Sequence, residues 1–65
     1  MILVHKHTGK PVEVGQKLID FRGDEATVTG MEEPRHLGST GRIHVWLPQG
    51  YHAAYYPNVY DCEWR

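Results

Sequence analysis

Apolar positions in this chain come in short runs, and none of them recurs at the i, i+3, i+4 spacing of an amphipathic helix. Turn-forming stretches separate the runs: "HTGKP", "RGDE", "MEEPRHLGSTG", "LPQGY" and "YPN". The clearest strand is "GRIHVWL", where Ile43, Val45 and Leu47 alternate with Arg42, His44 and Trp46. That period of two predicts an inward aliphatic row and puts Trp46 on the outer face. In "ATVTGM", Ala26 and Val28 share one face and Thr27 and Thr29 the other; in "QKLIDF", Ile19 and Phe21 share a face with Lys17. "ILV" opens the first strand, "HAAYY" and "DCEWR" supply the last two, and "PNVY" reads as one short 3₁₀ turn between them. Five or six short strands with tight turns predict a small, highly curved all-β barrel, because a flat sheet of this size leaves too many edges open.

Size and composition narrow the function. Sixty-five residues make a single domain, 1–65. Ordering them costs on the order of 100 kcal/mol of conformational entropy, and so short a chain buries only about 60% of its unfolded surface. A small core, helped by self-association, has to offset that cost, which leaves no room for an elaborate buried active site. Seven Lys and Arg against eight Asp and Glu give a net charge of −1, which argues against affinity based on bulk phosphate neutralisation and leaves a local basic patch open. The single cysteine, Cys62, permits neither an internal disulfide nor a Cys-rich zinc framework, and it fits a reducing cytosol. Three consecutive apolar residues after Met1 are too few for a signal peptide or a spanning helix. The expectation is a soluble, cytoplasmic protein with no membrane contact and no cofactor.

The "PRHLGSTGR" loop is the first chemical candidate. Backbone N–H groups near Gly38 and Gly41, the hydroxyls of Ser39 and Thr40, and the charges of Arg35, His36 and Arg42 together can receive an anion. The loop lacks the Lys and following helix of a Walker phosphate loop, and Glu32 and Glu33 lie beside it. Its structural reading is a hairpin-like connection, with Gly38 and Gly41 at positive φ. His5 and His7, two apart on a strand, point the same way but offer only two of the three or four ligands that zinc requires, so no metal site is expected.

Two Trp, four Tyr and one Phe are ample aromatics for this length. Trp46, Tyr51 and Tyr55 are the candidates for a protein-contact surface; the structural reading has Tyr56 and Trp64 complete the core. Catalysis is the weakest reading. Cys62 with a histidine, or Asp24 with Glu25, lacks a supporting third group and a pocket, so no enzyme is expected.

The order strand, "FRGDEATVTG", loop, "GRIHVWL", "YYPNVYDCEW" resembles a Src-homology-type barrel, in which an aromatic-Pro-x-x-aromatic stretch makes the 3₁₀ turn before the closing strand. Over residues 12 to 64 the chain also resembles a family of small proteins of tailed bacteriophages and prophages. The shared pattern is an "FRG" turn, an "ATxTG" strand, "P-x-H" with "GSTGR", and a late aromatic-Pro-x-Val. The resemblance implies a source and a fold, a five-stranded Src homology 3-like barrel, more than a function. In such barrels aromatics beside the 3₁₀ turn line a shallow groove used for peptides. The sequence therefore leads to a small phage or prophage protein that docks on a host or phage protein, with self-association open to it. The alternative is a nucleic-acid or nucleotide-binding barrel that uses "PRHLGSTGR" for phosphate contact.

Overall fold

Alternation and turn chemistry together account for the strands. The computed structural model describes residues 1–36 and 38–65. Among these, six strands form: β1 (Leu3–His5), β2 (Lys17–Ile19), β3 (Glu25–Glu32), β4 (Arg42–Trp46), β5 (His52–Tyr55) and β6 (Cys62–Trp64). A 3₁₀ turn, Pro57–Tyr60, joins β5 to β6, with Pro at its start and Asp61 left-handed (φ 57°) at its end. The described chain is all-β, and none of its helices is long and apolar enough to cross a membrane.

The strands form two open antiparallel sheets, β1-β6 and β2-β3-β4-β5, where the pattern predicts five strands in one closed barrel. The difference comes from the extended segment between β1 and β2, which bonds to both sheets without becoming a strand. Val12 N–H donates to Leu3 O, His5 N–H to Lys10 O, and Val28 N–H to Gln16 O. β3 is long enough to serve both β2 and β4, and its register with β4 shifts between Val28 and Gly30, a bulge that bends it.

One apolar cluster lies between the sheets. Leu3 and Cys62 from β1 and β6 meet Leu18, Ala26, Val28, Ile43 and Val45 from the four-stranded sheet, with Leu47 and Tyr60 at its margin. The alternation in β3 and β4 is therefore as expected, and Trp46 is outward and 42% exposed. β2 differs. Leu18 is the buried residue, whereas Ile19 is exposed and Phe21 is 81% exposed. The strand ends at Ile19, so Phe21 falls in the turn and the apparent Ile19–Phe21 face is the solvent face. Tyr60 takes the core place expected of Tyr56, which is exposed, and Trp64 packs against the cluster from its edge.

Candidate functional site

The loop between β3 and β4 is built around Gly41. Its φ is 68°, and a Cβ there would collide with the Glu32 carbonyl oxygen and lie 3.0 Å from Trp64 Nε1 and 3.1 Å from Pro34 N. The Trp64 indole N–H donates to the Thr40 carbonyl at 2.8 Å, which ties the loop to β6. The Gly41 N–H donates to Ser39 Oγ at 3.2 Å, and the Ser39 N–H to His36 O at 3.0 Å. Gly38, with φ 88°, has open space around it. Turn and candidate anion loop are thus one object, held by one backbone bond and two side-chain-to-backbone bonds.

The expected cationic edge of Arg35, His36 and Arg42 is divided by this geometry. Arg35, His36, Ser39, Gly41 and Arg42 line a cleft of about 270 Å³ together with Glu32 and Glu33. Glu32 lies 4.0 Å from Arg35 Nη2 and 3.3 Å from His44 Nε2, so this side is largely self-neutralised. Arg42 also lines a second cleft, of about 350 Å³, with Gly38, Ser39, Thr40, Tyr56 and Asn58. Its guanidinium carbon stands 4.1 Å from the centre of the Tyr56 ring, Nη1 donates to Gly41 O at 2.8 Å, and Nη2 to Tyr56 Oη at 3.4 Å. The partnership of Arg42 with Tyr56 crosses fourteen residues and has no sequence signal beyond the aromatic-Pro motif itself.

The aromatic candidates separate as well. Trp46 belongs to the outer face of the four-stranded sheet, paired with His52 and in edge contact with its ring at 4.7 Å. Tyr55 pairs with the inward Ile43 and so lies on the other face, edge-on to Tyr60 at 5.8 Å. Tyr51, 55% exposed, joins Tyr55 in a cleft of about 110 Å³ with Leu47, Pro48, Gln49, Asp20, Arg22, Asp24 and Glu25. The acidic side of this cleft is a rigid turn: Asp20 Oδ1 accepts from the N–H groups of Arg22 (2.9 Å) and Asp24 (3.0 Å). Burial acts to raise the Asp20 pKa, but these two donors and the Arg22 guanidinium outweigh it and hold the carboxyl below its ordinary value. Asp20 was not a sequence candidate; an Asp four residues before another polar turn residue, with Gly between, is the signal that marks it.

The shared face expected of His5 and His7 needs correction, as does the absence of a third group beside Cys62. His5 ends β1 and His7 lies beyond it in the turn, so the two do not share a strand face. His7 pairs with Asp61, while His5 Nε2 is 3.0 Å from Gln16 Oε1 and His5 Nδ1 is 3.8 Å from Cys62 Sγ. Cys62 therefore does have a histidine with a third group behind it. Yet its thiol is 1% exposed and donates to Tyr60 O at 3.4 Å. Burial, with Asp61 nearby, pushes its pKa up to about 11. Buried and with its pKa raised, the thiol is a packed core side chain. Among the described residues no three His, Cys, Asp or Glu side chains gather as metal ligands. No family model matches the chain, and no curated protein or solved structure is significantly similar to it.

Proposed function

We propose that this chain is a small, non-enzymatic phage or prophage binding protein, with a partly open Src-homology-like barrel, that docks on a host or phage protein in the host cytoplasm. The observation that carries the reading is the Tyr51–Tyr55 cleft. A half-exposed tyrosine stands beside Pro48 and a second tyrosine, under a rim of three carboxylates (Asp20, Asp24, Glu25) and one arginine, Arg22. Arg22 is spent on that rim, with Nη2 3.6 Å from Asp20 and Nε 3.7 Å from Asp24, and Lys17 Nζ lies 3.5 Å from Glu25, which leaves the rim one net negative charge. Aromatic surface on a rigid connection supplies contact energy at low ordering cost, and the acidic rim selects a partner segment carrying Lys or Arg. Trp46 with His52, on the other face, is the surface available for self-association.

Affinity capture from expressing cells tests this. The wild-type chain and Trp46→Ala are expected to recover the same protein, and Tyr51→Ala about tenfold less of it, the usual scale for an aromatic anchor. Undiminished recovery by Tyr51→Ala overturns the reading.

A further inference from the structure

The glycine-rich loop plays no part in docking at the Tyr51–Tyr55 cleft, and its two flanks differ in charge. The flank holding Arg35 contains Glu32 and Glu33. The other is lined by Gly38, Ser39, Thr40, Arg42, Tyr56 and Asn58: one cation, two aliphatic hydroxyls, one amide and no carboxylate. Among the described residues Arg42 has no carboxylate within ion-pair distance, whereas Arg35 is matched to Glu32. Stacking on Tyr56 and two hydrogen bonds fix the plane of the Arg42 guanidinium. Those bonds use two of its five N–H donors, and among the described residues the other three have no partner. Ser39 Oγ accepts from the Gly41 N–H, which leaves its own hydrogen to donate outward.

We infer that this second cleft binds a phosphate-type oxyanion, with Arg42 as its charged donor and Ser39, Thr40 and Asn58 as neutral ones. The inference is independent of the protein-docking proposal. A guanidinium already oriented by stacking loses little freedom on binding, and its planar fork matches two oxygens of a phosphoryl group. The nearby glycine leaves the backbone at Gly38 open to approach. With a single cation and a chain of net charge −1, the site is suited to one phosphoryl group and not to a polyanion track.

Titration of the full chain with inorganic phosphate, and separately with adenosine monophosphate, followed by ¹⁵N–¹H spectra, is the test. Saturable shifts are expected at Gly38, Ser39 and Thr40 and in the Asn58 side-chain amide, weakening as NaCl is raised. Arg42→Gln is expected to bind at least tenfold more weakly, and Arg35→Gln as the wild type does. Asn58→Asp puts a carboxylate into the cleft at an exposed position, so it removes binding while keeping the wild-type spectrum. Tighter binding of the nucleotide than of inorganic phosphate identifies a nucleotide ligand, and equal binding identifies the phosphoryl group alone; both support the site. The inference is overturned if neither anion gives a saturable shift. It is equally overturned if binding survives Asn58→Asp or is lost in Arg35→Gln.

Discussion

Gly41 and Gly38 are three residues apart and both have positive φ, yet they carry different loads. At Gly38 a side chain meets only a backbone penalty, since nothing lies near its missing Cβ. At Gly41 the same penalty adds to a collision with the Glu32 carbonyl, which cannot move without disturbing β3. Gly38→Ala is therefore expected to cost about 1 kcal/mol and Gly41→Ala more than about 2 kcal/mol. Urea unfolding of the two variants checks this, and equal costs would remove the steric argument. The need for positive φ is legible in "GSTGR", because two glycines bracketing Ser and Thr signal a turn. The identity of the neighbours is not. Glu32 O, Pro34 N and Trp64 Nε1 reach Gly41 through the sheet register and the closing strand, which no local pattern encodes.

At the scale of elements, the 3₁₀ turn and β6 work together to close the core. The turn places the Tyr60 ring inward and β6 places Cys62 beneath it. Burial pushes the Tyr60 pKa up to about 12, aided by the Tyr55, Asp20 and Asp24 charges, and that of Cys62 up to about 11. Both groups are neutral in the fold and ionise more readily in the unfolded chain, so the stability they confer is complete below pH 9 and falls as pH rises towards 12. A loss on the order of 3 kcal/mol is expected across that range, measurable as a falling urea midpoint between pH 9 and 11.5. A flat midpoint would mean that these two side chains are solvated. The 3₁₀ turn itself was readable from the aromatic-Pro-x-x-aromatic run, as was β4 from its unbroken alternation. β2 was not, because Leu18 and Ile19 are adjacent apolar residues and only the strand's end point decides which one faces the core.

For the whole molecule, one apolar cluster spans both sheets, so the surfaces that it does not consume are those left for function. Among the described residues they include the carboxylate-rimmed Tyr51–Tyr55 cleft, the Trp46–His52 patch on the opposite sheet face, and the Arg42–Tyr56 cleft beside the glycine loop. The sequence named Arg35, His36 and Arg42 for a cationic loop and Trp46, Tyr51 and Tyr55 for docking, but not which of them share a surface. Trp46, Tyr51 and Tyr55 look equivalent until the register puts Trp46 opposite His52 and Tyr55 opposite Ile43. Docking is proposed at the acidic aromatic cleft. The most direct measurement is ¹⁵N chemical-shift mapping of the chain with its captured protein partner. The largest changes are expected at Arg22, Gly23, Asp24, Gln49, Tyr51 and Tyr55. Changes confined to His44, Trp46 and His52, or to residues 38–42, would contradict it.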